Sequence, residues 1–318
     1  VRLRVINAAA TTIFDLRIPG LELTVVSADG QDVEPVRVDE IRIAVAETYD
    51  VIIQPPNDEA YTIFAQSISR AGFVRGTLAP RLGMDAAVPA VDEPAWLTMV
   101  DMMGAMANAD AGESGAARAD HTSDMHSASR GIPDSSTGKQ PAGKRAVRHA
   151  ASEYGPNVDM HVDMPRVNLD DPGVNLRNNG RRVLTYADLR TVGGPLDARP
   201  PDREIELHLT GHMQRFVWSF DGQKYSESRP IRLRFGERVR VVLVNDTMMT
   251  HPIHLHGMWS EVETPEESFL VRKHTVSVQP AQRVTYLVTA DALGRWAYHC
   301  HLLYHMEAGM FREFAVTR

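Results

Sequence analysis

The sequence predicts an all-β fold of two similar domains, and three observations predict it. Two blocks, residues 1–82 and 202–318, consist of short apolar or alternating runs broken by Gly, Pro, Asn and Asp. Helix-period patterns are nearly absent from both. The blocks also align on one another, and the chain between them has a composition that cannot build a core of its own.

In order along the chain, the strand runs of the first block are "LELTVVSA", "VRVDEIRIAVA" and "YDVIIQ". Residues 83–201 form a Met- and His-containing linker. From about 107 to 180 it is rich in Ala, Gly, Ser, Asp and Asn, as in "ANADAGESGAARADHTSDMHSASRGIPDSSTGKQPAGKR". Such a stretch buries too little apolar surface to offset its ordering entropy, so it is expected to be largely disordered. The second block resumes with "REIELHLTG", "PIRLRFGERVRVVLVN", "HTVSVQP" and "RVTYLVTA". Many short strands with frequent turn signals point to a sandwich or barrel in each block.

"VRLRVINAAATTIFDLRI" (1–18) aligns without gaps on "VRVVLVNDTMMTHPIHLH" (239–256), and "VAETYDVIIQPPNDEAYTIFAQ" (45–66) on "PAQRVTYLVTADALGRWAYHCH" (280–301). A repeat of this length implies two copies of one domain. His251, His254 and His256 face Ile13, Leu16 and Ile18 of the first copy, and His299, Cys300 and His301 face Phe64, Ala65 and Gln66. A copy that keeps the fold without these residues assigns the His/Cys set to chemistry rather than packing.

Strand alternation sorts that set. In "HPIHLHG", His254 and His256 share one face and His251 takes the other; in "HCH", His299 and His301 share a face opposite Cys300. If the two strands are neighbours, one cluster holds His251 and Cys300 and the other holds His254, His256, His299 and His301. His305 and Met310 follow on a loop that can fold back toward Cys300. Two His, one Cys and a weak axial Met make the trigonal blue-copper ligand set, while a cluster of histidines alone suits copper that meets dioxygen. Cys300 is bonded to both neighbouring histidines, so it links the clusters as an electron relay with His299 and His301. Zinc is the competing reading, but structural zinc sites favour several Cys or regular paired spacings. His208, His212 and His274 are read as hydrogen-bonded structural residues.

Bulk properties narrow the partners. The chain has 318 residues, a net charge of -7 and no basic cluster, so nucleic acid is not expected as a partner. No apolar run is long enough to span a membrane. One cysteine excludes an internal disulfide.

"VNDTMMTHPIHLHGMW" and "WAYHCHLLYHMEAGMF" resemble the two C-terminal copper motifs of multicopper oxidases, and "RIPGLELTVVSADGQDVEPV" and "PPDREIELHLTG" resemble the bacterial copper-resistance type of that family. The resemblance covers nearly the whole chain outside the linker. It implies cupredoxin domains, each a Greek-key β-barrel or sandwich. It also implies type 1 copper held by His251, Cys300, His305 and Met310, type 2 copper by His254, and type 3 copper by His256, His299 and His301. Family members oxidise a reductant at type 1 and reduce dioxygen to water at the trinuclear site. For this chain the implied substrates are Cu(I), phenols as a further class, and dioxygen, and the implied location is the periplasm.

One departure matters. The family's first domain brings two further His-X-His pairs, whereas "HLH" and "HCH" are the only such triplets here, and residues 1–82 contain no histidine. The chain begins inside a strand pattern without Met, so it is expected to be the second and third domains of a three-domain enzyme. The missing N-terminal domain would be needed to complete the trinuclear site, and the fragment is expected to be inactive toward oxygen.

Fourteen methionines carry a competing reading. "TMVDMMGAM" is open to two interpretations, helical packing of Met99, Met102, Met103 and Met106 or capture of Cu(I), which soft thioethers favour. "DMHVDM", with His161, reads as a copper-sequestering or docking segment. Met248, Met249, Met258 and Met306 are expected to pack around the ligands. The acidic "EVETPEESF" is read as an exposed turn, and Glu307 as a proton donor or a residue ordering the ligand loop. A periplasmic copper-sequestering protein is therefore the alternative function; a plain electron carrier would have no use for the second histidine cluster.

Overall fold

The structure is a computed structural model and describes residues 1–104 and 147–318. The first block contains β1 (Arg2–Ile6), β2 (Phe14–Arg17), β3 (Leu23–Ala28), β4 (Gln31–Val38), β5 (Glu40–Ile43), β6 (Thr48–Ile52), β7 (Tyr61–Ser67) and β8 (Phe73–Leu78). The second contains β9 (Arg203–His212), β10 (Val217–Phe220), β11 (Ile231–Arg234), β12 (Arg238–Asn245), β13 (His251–Leu255), β14 (Ser260–Glu263), β15 (Phe269–Lys273), β16 (Thr275–Val278), β17 (Arg283–Thr289), β18 (Gly294–Cys300) and β19 (Phe311–Thr317). The sheets run β1-β6-β3-β4 and β5-β2-β7-β8 in the first block, and β10-β9-β12-β17-β14-β15 and β11-β19-β18-β13-β16 in the second. The expected all-β fold is observed as two cupredoxin-like sandwiches. Removing β9, β10 and β11 from the second leaves the strand order of the first. The duplication read from sequence is thus a duplication of topology. β12 is buried along almost its whole length because β9 and β17 flank it, which explains its unbroken "VVLV" run.

The ladders correct the sequence alignment by one residue. Leu16 pairs with Ala65 just as Ile253 pairs with Cys300, and Phe14 pairs with Ile43 as His251 pairs with Val278. Phe14 therefore corresponds to His251, Arg17 to His254 and Pro19 to His256, in place of Ile13, Leu16 and Ile18. The cause is a loop one residue longer in the first block. Asn7 Nδ2 donates to the Thr12 carbonyl, five residues on, whereas Asn245 Nδ2 donates to the Met249 carbonyl, four residues on. Phe64, Ala65 and Gln66 keep their places.

The linker reaches less far than its composition predicts. Its residues 105–146, Met106 included, lie outside the described residues, but 83–104 and 147–201 pack across both sandwiches. Leu169, Leu176, Leu184 and Leu189 are buried. Bridges join Glu40 to Val183, Val33 to Thr191 and Arg166 to Gln282. Arginines do the rest. Asp101 pairs with Arg177 at 2.6 Å, and Asp92 pairs with Arg17 at 3.1 Å and with Arg181. Helix α1 (Met99–Met103) is capped by Thr98 and Asp101, yet Met99 and Met103 are exposed, so packing among the described residues does not account for them.

The acidic stretch also differs from expectation. Glu261 and Glu263 are buried in β14, paired with Arg238 and Arg240 at 2.9 Å each, and only the turn beyond them is exposed.

The sandwiches meet at a buried ammonium. Lys273 Nζ lies 3.1 Å from Asp29 and 3.2 Å from Glu47, both in the first block. Lys273→Met leaves two buried carboxylates without their cation, and the expected loss is about 3–5 kcal/mol. Urea unfolding checks this; a loss under about 1 kcal/mol would show that the clamp does not hold the blocks together.

Candidate metal centre

β13 and β18 are neighbours, with Ile253 opposite Cys300 and His254 opposite His299. Pleating then produces the two faces expected from sequence. On one face, His251 Nδ1 and His305 Nδ1 lie 3.1 Å apart, and Cys300 Sγ lies 3.6 Å and 3.8 Å from them. All three side chains are buried. Trigonal ligands with bonds of about 2.1 Å would be about 3.5 Å apart, so the triangle is the right size for one ion.

Surrounding groups aim these atoms. The Thr247 hydroxyl donates to Asn245 Oδ1 (2.8 Å), so it accepts from His251 Nε2 (2.7 Å) and leaves Nδ1 bare toward Cys300. The His305 ring stacks on Trp218 with centroids 4.2 Å apart. Met310 is fully buried; its N–H donates to the His305 carbonyl and its carbonyl accepts from Cys300 N–H. The ligand loop, with helix α2 (Leu303–Glu307), therefore does fold back beside Cys300. Burial pushes the Cys300 thiol up to about 12, and it holds His305 down to about 4 and His251 well below its ordinary value. Two neutral imidazoles and a thiol suit a cation that displaces the thiol proton.

On the other face the rings of His254, His256, His299 and His301 gather with centroid separations of 4.6–5.7 Å. His254 Nδ1 donates to the His274 carbonyl (2.7 Å) and His299 Nδ1 to the Cys300 carbonyl (3.0 Å), leaving Nε2 of each ring as an acceptor. His256 Nε2 and His299 Nε2 face each other at 3.2 Å, and His301 Nδ1 is buried without a hydrogen bond. Burial pushes His254 and His299 down to about 4. Without a metal the His256–His299 pair can share one proton, but His301 Nδ1 stays unpartnered, and a gathering of neutral imidazoles with accepting nitrogens fits copper. His256 is exposed, so this cluster opens outward. At Gly257 (φ +75°) an added Cβ would come 2.3 Å from the Trp296 ring, which fixes the turn after His256.

Of the histidines read as structural, His274 supplies through its carbonyl the anchor for His254, and His212 lies 3.8 Å from Asp159. His208 instead belongs to a buried group with His149, Glu153 and Asp246. Sequence gives no signal of that group, because its members are scattered from 149 to 246. Met249 and Met258 pack in the core near the ligands, and Met248 is exposed.

Residues 1–83 and residues 198–318 each match the family described as multicopper oxidase. Copper resistance protein A of Escherichia coli is 56% identical over 99% of this chain and 55% of its own length. A copper resistance protein A homolog of Pseudomonas syringae pv. tomato is 54% identical over 99% of the chain and 54% of its own. The chain thus spans little more than half the length of these relatives. Among solved structures, Fet3p, a multicopper oxidase that functions in iron import, superposes with a TM-score of 0.61 at 15% identity, covering 99% of this chain and 55% of Fet3p; that likeness shows the fold alone.

Two outcomes are expected. Thr247→Val frees the His251 ring and weakens cobalt binding, followed by its thiolate band, about 10- to 100-fold; an unchanged affinity would remove Thr247 from the site. At pH 7 the Cys300 thiol is protonated, so loading the native chain releases about one more proton per ion than loading Cys300→Ser, measured by pH-stat.

Proposed function

This chain belongs to the multicopper oxidase family, and we propose on that premise that it is the electron-accepting part of a copper-resistance oxidase, carrying half of the oxygen-reducing site. The observation that carries the reading is the buried triangle of His251, Cys300 and His305, back to back with four histidines on the same strand pair.

In this reading His251, Cys300, His305 and Met310 hold type 1 copper, His254 serves type 2, and His256, His299 and His301 serve type 3. Copper bound there supplies one-electron acceptance on one face and electron delivery to dioxygen on the other. Cys300 is bonded to His299 and His301, and its carbonyl accepts from His299, so this single residue spans the two faces. Trp218 and the strands around Cys300 keep water from the thiolate. Electrons enter at the His305 loop, where Lys224, Tyr225, Met306 and Glu307 line an open groove of about 350 Å³. The exposed Glu307 carboxylate favours a cationic donor there, and Cu(I) is the proposed substrate, with phenols as a second class. Oxidation to Cu(II) in the periplasm, with dioxygen reduced to water, would detoxify copper. No helix among the described residues is long and apolar enough to cross a membrane. Further histidine ligands, from a cupredoxin domain outside this sequence, would approach His256 on the open side of the second cluster.

A copper-sequestering role is the second reading. Gly104 bridges to Met164, which brings the two methionine clusters together, and Met99, Met103 and Met164 are all exposed. His161 is not free to join them: its Nε2 is 2.9 Å from the Glu153 carbonyl, and its ring stacks on Tyr154.

Copper-loaded, re-oxidised chain is expected to show an intense visible thiolate-to-copper band that Cys300→Ser abolishes. Copper uptake with no such band would favour sequestration. Oxygen consumption with reductant is expected to be absent for this chain alone, as an oxygen electrode would register; turnover at enzymatic rates would refute the need for further ligands.

A further inference from the structure

We propose that His149, Glu153, His208 and Asp246 form a second metal site, distinct from both copper clusters, that binds one divalent transition cation and fastens the chain around residues 147–163 to the second sandwich. His208 comes from β9 and Asp246 follows β12, while His149 and Glu153 come from the segment docked on them. Their donor atoms form a ring. His149 Nδ1 is 2.7 Å from Glu153 Oε2, which is 3.3 Å from His208 Nδ1; that nitrogen is 2.6 Å from Asp246 Oδ2, which is 3.8 Å from His149 Nδ1. The four side chains are 4% exposed or less. A tetrahedral ion with bonds of about 2.0 Å has ligand atoms about 3.3 Å apart.

The outward atoms are already held. Glu153 Oε1 accepts from Ala150 N–H (2.9 Å), Asp246 Oδ1 accepts from Val162 N–H (2.9 Å), and His208 Nε2 lies 3.4 Å from Glu206 Oε1. His149 Nε2 is buried without a hydrogen bond, with Asp163 Oδ1 at 3.4 Å. Glu153, Asp246 and His208 therefore each turn one atom to a common centre and are oriented through the other, as outer-shell partners orient metal ligands, while His149 has only Asp163 near its second nitrogen. Hydrogen bonding alone is a poorer account. Neutral imidazoles can serve the two carboxylates pairwise, His149 Nδ1 to Glu153 (2.7 Å) and His208 Nδ1 to Asp246 (2.6 Å), but that leaves two buried negative charges without a cation. A divalent ion at the centre neutralises both carboxylates at once. Two imidazoles and two carboxylates with no sulfur select Zn²⁺ or Cu²⁺ over Cu(I).

The test is equilibrium dialysis of the full chain against Zn²⁺, with bound metal counted. His149→Gln and Glu153→Gln, which lie on the docked segment and leave the sandwich strands intact, are each expected to bind one equivalent fewer than the native chain. The thiolate band of the copper-loaded variants is expected to be unchanged, so the outcome is independent of the function proposed above. Zn²⁺ is also expected to slow tryptic cleavage after Arg148 at least tenfold in the native chain and not in His149→Gln. Equal zinc counts in the native chain and both variants, or a variant that loses stability with its zinc count unchanged, would overturn the site and leave a hydrogen-bonded ion cluster.

Discussion

The joining of the two sandwiches and the aim of His254 depend on one buried charge. Lys273, at the end of β15, places its ammonium between Asp29 and Glu47 with no solvent access, over the rings of Tyr49 and Tyr186. Burial alone would lower its pKa, but the two carboxylates outweigh that and hold it charged. Desolvating three ionised groups costs several kcal/mol per ion, so the group persists only because each is paired. Asp29 does more than neutralise. Its carboxylate also accepts from the backbone N–H groups of His274 and Thr275 (3.1 and 3.2 Å), and the His274 carbonyl is the acceptor that orients His254. A sandwich without any histidine thereby sets the direction in which a histidine of the other sandwich presents its free nitrogen.

The same topology has two uses for one face. Where the second sandwich carries His254, His299 and His301, the first carries Arg17, Phe64 and Gln66. Arg17 lies over the Phe64 ring at 4.8 Å and pairs with Glu40 and Asp92, and Gln66 donates to Asp92 at 2.7 Å. Arg181 of the interdomain chain also joins Glu40 and Asp92. A strand pair that offers buried polar positions must satisfy them; the first block does so with an ion network, and the second leaves the His301 Nδ1 atom without a hydrogen bond. The network has a structural consequence, because it ties residues 83–104 and 176–182 to the first block.

The grouping of the His/Cys set into two faces is legible in the sequence because strand alternation is a local rule: "HPIHLHG" and "HCH" state their own faces, and pairing them needs one assumption, that β13 and β18 are neighbours. The slip at Ile13, Leu16 and Ile18 came from a single extra residue between Asn7 and Thr12, which alternation cannot register when flanking strands align so well. The two ends of the chain between the blocks, 83–104 and 147–201, depart from the sequence reading for another reason. Composition counts apolar residues over a window, but four leucines and a few arginines suffice when a preformed surface receives them. His208 is hydrogen-bonded, as its sequence reading has it, but the group it belongs to is not legible because its partners Asp246 and Glu153 lie 38 and 55 residues away, beyond any motif.

The two faces of the β13/β18 pair differ in access, and the difference suits the chemistry proposed for each. His251, Cys300 and His305 are sealed among Trp218, Met310 and the strands, and a site that only passes electrons gains from fixed ligands and a dry surrounding. His256 is exposed, and His301 is half-buried with an unpartnered nitrogen. In the proposed reading, a site that would admit dioxygen, or receive further ligands, could not be closed by its own strands. Pleating places these opposite requirements on the two sides of β18, one residue apart, so that Cys300 belongs to the sealed face while both its neighbours belong to the open one.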